Sequence, residues 1–136
     1  MSARTKARKR ALDALYAAAL TGGSAGDQLK KAQLQGRDQE AIFDYAETLV
    51  NGYLANSQLI DARIESLSDT WTLDRMPNVD KSILRLSAWE ILFNDGVPNE
   101  VAISEAVALA GEYSTDESAK FVNGLLARLA KGAVAL

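Results

Sequence analysis

An all-α fold is what this chain predicts, and three observations carry the prediction. Apolar residues recur at three- and four-residue spacing along almost the whole length. Alternation of β-branched residues is nearly absent. Only two prolines interrupt the pattern in 136 residues. A hydrophobic content of 48% argues against disorder as a class and is enough for one domain with a real core. About seven helices joined by short loops follow from the breaks in periodicity.

The first helix is expected over Thr5 to Leu20, with Leu12, Leu15, Tyr16 and Ala19 on one face, and it stops before Thr21-Gly22-Gly23-Ser24. A weak helix follows near Asp27 to Gln35. Asp38 can cap a third, whose stripe Ile42, Tyr45, Ala46, Leu49, Val50 and Tyr53 is the cleanest in the chain. Asn56-Ser57 reads as a stop and restart before Leu59, Ile60, Ile64 and Leu67. Residues Ser68 to Asn78 are irregular, with Trp71, Leu73 and Met76 expected to plug the core. Val79 to Asn94 is apolar nearly all round and so is expected to be a central helix. Gly96-Val97-Pro98 breaks it, and Asn99 to Tyr113 forms the next. Ser114-Thr115-Asp116-Glu117 has the spacing of a capping box. The final helix then buries Phe121, Val122, Leu125, Leu126 and Leu129.

Composition narrows the chemistry. The chain has no cysteine, which excludes disulfides and thiolate chemistry, and no histidine, the commonest general base and metal ligand. No run approaches the roughly eighteen apolar residues that a membrane span needs. Asp13 interrupts the apolar stretch after the basic start, so an amphipathic helix is expected there in place of a signal peptide, and the cytoplasm is the expected location. Glu90 lies among apolar residues of the central helix and reads as a structural carboxylate. Asp116-Glu117 suits the start of a helix and is no obvious metal site. There is no P-loop, dinucleotide fingerprint or nucleophile elbow. These absences lead to the expectation of no enzyme, no cofactor and no metal.

Charge is distributed unevenly. Arg4, Lys6, Arg8, Lys9 and Arg10 stand in the first ten residues without an acid among them, whereas the whole chain carries −3. A basic arm on an acidic body draws a polyanion to one place. On a helical wheel Arg8 falls within the apolar arc and Arg4 at its edge. A buried guanidinium needs a partner, so the first two turns are expected to project beyond the core or to order on binding. The competing reading is a solvated terminus kept soluble by charge. Near the other end, Phe121-Val122-Asn123-Gly124 places a glycine inside a helix, at a cost of about 1 kcal/mol relative to alanine. Close helix packing and close approach of a ligand both explain it. Phe121, at the edge of its arc, is either core or a stacking platform for an unpaired base.

Taken in order, several strings resemble a known family. They are Ala7-Arg8, Ala11-Leu12-Asp13-Ala14-Leu15-Tyr16, Trp71-Thr72-Leu73-Asp74-Arg75-Met76, Val79-Asp80-Lys81-Ser82-Ile83-Leu84-Arg85-Leu86 and Trp89-Glu90-Ile91-Leu92. Val97-Pro98, Val101-Ala102-Ile103-Ser104-Glu105-Ala106-Val107 and Lys120-Phe121-Val122-Asn123-Gly124-Leu125-Leu126 complete the set. Together they resemble the bacterial transcription antitermination factor NusB family over nearly the full length. Ser104 stands where the family has Asn, and the basic residues of the first helix are spaced differently.

The resemblance implies two small helical bundles packed together, here divided as 1–68 and 69–136 within one RNA-binding domain. It implies binding of the BoxA single strand of nascent RNA, together with NusE, a small-subunit ribosomal protein. It also implies loading on RNA polymerase to suppress termination, notably in rRNA operons. Arg4, Lys6, Arg8 and Lys9 correspond to the RNA-contacting N-terminal segment, and Lys120, Phe121 and Asn123 to the C-terminal RNA-facing motif. Asp80 corresponds to an acidic position facing the ribosomal protein. Alternatives are a homodimer whose apolar faces pair, a regulatory domain like those preceding the catalytic domain of some RNA cytosine methyltransferases, and a membrane-surface helix at the N-terminus. A membrane partner is not expected.

Overall fold

The computed structural model describes residues 2–36 and 39–135, and among them all regular structure is helical. The chain divides into two compact units, Met1–Ala55 and Asn56–Leu136.

The first unit holds α1 (Ala3–Thr21), α2 (Ala25–Leu34) and α3 (Glu40–Ala55). The Ser2 hydroxyl starts α1 by accepting the Thr5 N–H at 3.1 Å, and Ser24 starts α2 by accepting that of Asp27 at 3.3 Å. Gly22 ends α1 in the left-handed region, φ 75°, where its N–H donates to the Ala18 carbonyl. Helix α1 packs along α3 through small side chains. Ala7, Ala11 and Ala46 are fully buried, so the backbones approach closely, and Leu12, Leu15, Leu49, Val50 and Leu29 fill the remaining space.

The buried face of α1 lies closer to its start than the sequence suggests. Ala7, Arg8 and Ala11 are buried, whereas Tyr16 and Ala19 are exposed. The first turns of α1 are therefore packed helix and do not project as an arm. The wheel put Arg8 within the apolar arc, but the expectation of projecting turns failed because alanines, which carry little hydrophobic weight, seat this end of the helix. The expected cap at Asp38 lies outside the described residues.

The second unit holds α4 (Ser57–Leu67), a 3-10 turn at Leu73–Arg75, α5 (Asn78–Phe93), α6 (Asn99–Tyr113) and α7 (Asp116–Ala135). Helix α5 is central, as its all-round apolar pattern predicts. It buries Ile83, Leu84, Leu86, Ala88 and Ile91, and α4, α6 and α7 surround it. Ile60 and Ile64 reach in from α4, Ala102, Ala106 and Ala110 from α6, and Val122, Leu125, Leu126 and Leu129 from α7. Leu59, assigned to the stripe of α4, is instead 47% exposed. Of the three expected plugs only Met76 is buried; Trp71 and Leu73 are half-buried.

Two polar ties hold α4 in place. The Arg85 guanidinium donates to both carboxylate oxygens of Asp61, each at 3.0 Å. Arg128 Nη2 on α7 donates to the Leu67 carbonyl at 2.8 Å, filling an orphan acceptor at the end of α4. These contacts explain why the division falls between Ala55 and Asn56 and not at residue 68: α4 packs on α5 and α7 and belongs to the second unit.

Candidate nucleic-acid interface

In the first unit, the basic cluster is built on a helix whose positive dipole end it reinforces. The first turn of α1 carries no acid to offset that end. Cations there cost helix stability, so helix formation does not explain them. Part of the cost is offset by Tyr45 on α3. The Arg4 guanidinium lies 4.8 Å from the centre of its ring and that of Arg8 lies 5.8 Å away. The two arginines sit one turn apart on α1 and converge on one aromatic face.

The four predicted cations are not equivalent. Arg4 and Lys6 are exposed, Lys9 is half-buried, and Arg8 is only 5% exposed. Arg8 is the guanidinium that the wheel placed on the core face, and the Tyr45 ring lies beside it. The structure gives it a place in the packing of α1 on α3 and little surface to offer a phosphate. Arg10 turns to Asp13, an ion pair at 3.7 Å. Burial raises the Asp13 carboxyl above its ordinary value, while Lys9 and Arg10 act to lower it.

The second unit presents the other predicted group. Lys120 and Asn123 are exposed on α7, and Phe121 between them is half-buried. Phe121 is therefore neither plain core nor loose on the surface. Its ring meets that of Trp71 edge to face, with centroids 5.0 Å apart and planes at 79°. Ser68 holds the Trp71 backbone at both ends: its hydroxyl donates to the Trp71 carbonyl at 2.6 Å and accepts the Trp71 N–H at 3.2 Å. The loop before α5 thus delivers a fixed aromatic partner to α7.

Gly124 follows on the same helix. A Cβ added there would meet nothing closer than Arg128 Nη1 at 3.6 Å, an ordinary van der Waals contact. Tight internal packing, one of its two sequence readings, does not account for this glycine. The open backbone beside Asn123 remains accessible to something outside the chain.

The Asp80 expectation needs correcting. Its carboxylate is fully buried, and Oδ2 accepts the Ser118 hydroxyl at 2.7 Å. A side chain enclosed in this way cannot face a protein partner; it joins α5 to α7 within the unit. The cap of α7 also differs from the expected box. Thr115 Oγ1 accepts the Ser118 N–H at 3.0 Å, while the Ser114 N–H closes α6 on the Ala110 carbonyl. Glu90 is buried at 1% exposure.

Tyr45 and Trp71 were missed as members of these groups. Tyr45 fits the apolar stripe of α3 and Trp71 sits in an irregular segment, so each reads as core from sequence. A signal was present for Tyr45: a guanidinium on a core face calls for an aromatic or acidic partner. Among the described residues no group of three potential metal ligands occurs, and no helix is long and apolar enough to cross a membrane.

The geometry can be set beside known proteins. The family model described as NusB family matches residues 5–131. The transcription antitermination protein NusB of Clavibacter michiganensis subsp. michiganensis is 54% identical over 133 residues, spanning 96% of this chain and 97% of that protein. The structure of NusB from T. maritima superposes with a TM-score of 0.85 at 32% identity, covering 98% of this chain and 97% of that one. A crystal structure of the antitermination factors NusB and NusE in complex with dsRNA matches with a TM-score of 0.87 at 28% identity, covering 97% of this chain and 98% of the other. A match of this extent, with an all-helical architecture in common, places the chain in the NusB family.

Proposed function

We propose that this protein is a transcription antitermination factor that binds RNA and acts by assembly, without catalysis. Its RNA is the BoxA single strand of a nascent transcript, and NusE, the small-subunit ribosomal protein, is its partner on that strand. The complex joins RNA polymerase in the cytoplasm and suppresses termination, notably in rRNA operons. Two relatives support an antitermination factor that meets RNA and NusE: one named a transcription antitermination protein, and one crystallised with NusE and dsRNA.

The observation that carries it is the constellation on α7. Phe121 is held half-exposed against Trp71, flanked by exposed Lys120 and Asn123, beside a glycine whose open backbone the fold itself does not use. Single-stranded RNA is recognised by stacking unpaired bases on aromatic rings and by hydrogen bonds to their edges. Phe121 supplies the ring, Asn123 the edge contact and Lys120 the phosphate contact. Arg4, Lys6 and Lys9 add affinity that depends on salt and reads little sequence. Arg8 contributes through Tyr45, by keeping the first turns of α1 seated. Asp80 serves the partner contact only by holding the fold.

Two weak binders that touch on one strand gain affinity from each other. A gel-shift titration with a BoxA-like strand and a scrambled control, with and without NusE, tests the proposal. Preference for the BoxA-like strand that sharpens with NusE is expected. Equal binding of both strands under both conditions would remove the sequence-reading role.

A further inference from the structure

Within the first unit the start of α1 and the middle of α3 leave an opening of about 440 Å³. Ala3 and Ala41 line it from opposite helices, so no large side chain fills the gap. Arg4 and Tyr45 form one edge, with the guanidinium over the ring. Asp44 and Thr48 complete the lining. Thr48 donates its hydroxyl proton to the Asp44 carbonyl at 3.0 Å, which leaves its oxygen as an acceptor. Asp44 is exposed, and among the described residues no hydrogen bond or ion pair engages its carboxylate.

A carboxylate is out of place on a surface meant for phosphate alone. It repels the backbone that Arg4 and Lys6 attract. On α3 the Asp44 carboxylate and the Thr48 oxygen offer acceptors to the opening, and the complement of these two positions is a flat group bearing donors. We propose that this opening takes an unpaired guanine base, with the Asp44 carboxylate accepting from the N1 and N2 hydrogens on its Watson–Crick edge. Guanine is the one RNA base with two adjacent donors on that edge, the match for a carboxylate's two oxygens. The volume admits a base, and the Arg4 guanidinium at the rim offers a stacking surface and a counter-charge for the attached phosphate. The assignment rests on the RNA-binding reading and adds to it a base-reading site in the first unit.

The sign of one substitution decides the matter. Removal of a carboxylate that only repels RNA tightens binding; removal of one that reads a base weakens it. The probes are short single-stranded RNAs with one guanosine placed at successive positions, the same strands with inosine there, and a strand without guanine. Anisotropy titrations compare the full-length protein with its Asp44→Ala variant.

Wild type should favour one guanosine strand over its inosine counterpart, which lacks the N2 amine, by several-fold. Asp44→Ala should weaken binding to that guanosine strand about tenfold, the scale of one bidentate base contact. It should also abolish the guanosine–inosine difference and leave the guanine-free strand bound as well or slightly better. Asp44 is exposed, so melting should be unchanged. Equal or tighter binding of every strand by Asp44→Ala would overturn the inference while leaving RNA binding intact. Failure of wild type to bind any strand would instead overturn the RNA-binding reading itself.

Discussion

The Ser118 hydroxyl donates a 2.7 Å hydrogen bond to Asp80 Oδ2, tying the first turn of α7 to the first turn of α5 inside the second unit. Asp80 Oδ1 has no hydrogen-bond partner, so this one bond carries the satisfaction of a fully buried carboxylate. Ser118 is fixed in turn by Ser114 and Thr115, whose hydroxyls lie 2.9 and 3.1 Å from its own. Lys120 and Phe121 follow directly on the same turn. The bond therefore sets where the stretch of α7 that carries exposed Lys120 and Asn123 begins.

Asp80→Ala should lower unfolding stability in urea by about 1.5–3 kcal/mol, the range for a hydrogen bond to a charged group. Ser118→Ala should fall in the same range, and the double variant should cost less than the sum, since both remove one bond. Asp80→Lys should be far more damaging, because a second buried charge replaces the first without a partner. An Asp80→Lys protein that melts like wild type but fails to bind NusE would restore Asp80 to the partner surface.

The basic residues of α1 should separate into two behaviours. Replacing Arg4, Lys6 and Lys9 together by alanine should weaken RNA binding and lower the slope of log affinity against log salt by up to about 2, at about 0.7 per phosphate contact on a single strand. Arg8→Ala should show mainly as a lower melting temperature, through lost packing against α3 and Tyr45. A salt slope unchanged in the triple variant would take these side chains out of the interface.

Glu117 is exposed in the first turn of α7, three residues before Lys120. It suits the helix dipole but repels phosphate beside Lys120. Glu117→Gln should tighten RNA binding several-fold and cost at most about 0.5–1 kcal/mol in stability. Weaker binding in that variant would mean that Glu117 mainly holds the helix start.

Gly124→Ala should move stability and binding in opposite directions. Alanine in a helix interior gains about 1 kcal/mol over glycine, and here its Cβ meets only the Arg128 guanidinium, at an ordinary contact distance of 3.6 Å. RNA affinity should fall, because the methyl stands where the strand approaches. If thermal unfolding rises and affinity holds, the glycine is not an RNA contact.

The sequence makes the helices legible because each break carries a physical signal: Gly22, the Gly96-Val97-Pro98 stop, and the polar run before α7. It also makes α5 legible as the centre, since only a surrounded helix tolerates apolar residues on every side. The seating of α1 is harder to read. Its contact with α3 is made by alanines, and the partner of Arg8 lies more than thirty residues away on another helix. Asp80 misleads for a related reason: acids are usually exposed, and nothing local announces that Ser118, 38 residues on, encloses this one. The candidate residues of α7 are legible by their local oddity, a glycine and an edge aromatic in one helix. The geometry of Trp71 against Phe121 is not, because it depends on a loop closing over a distant helix.

The central claim is that the aromatic and cationic group on α7 binds single-stranded RNA. The most direct measurement is a titration of a BoxA-like strand against wild type and Phe121→Leu, a change that removes the ring while keeping apolar bulk. The account predicts tighter binding of the BoxA-like strand than of a scrambled one by wild type, and a loss of roughly five- to a hundredfold in the variant, the scale of one base–aromatic stack of about 1–3 kcal/mol. Equal affinity of wild type and a folded Phe121→Leu protein for that strand would contradict it.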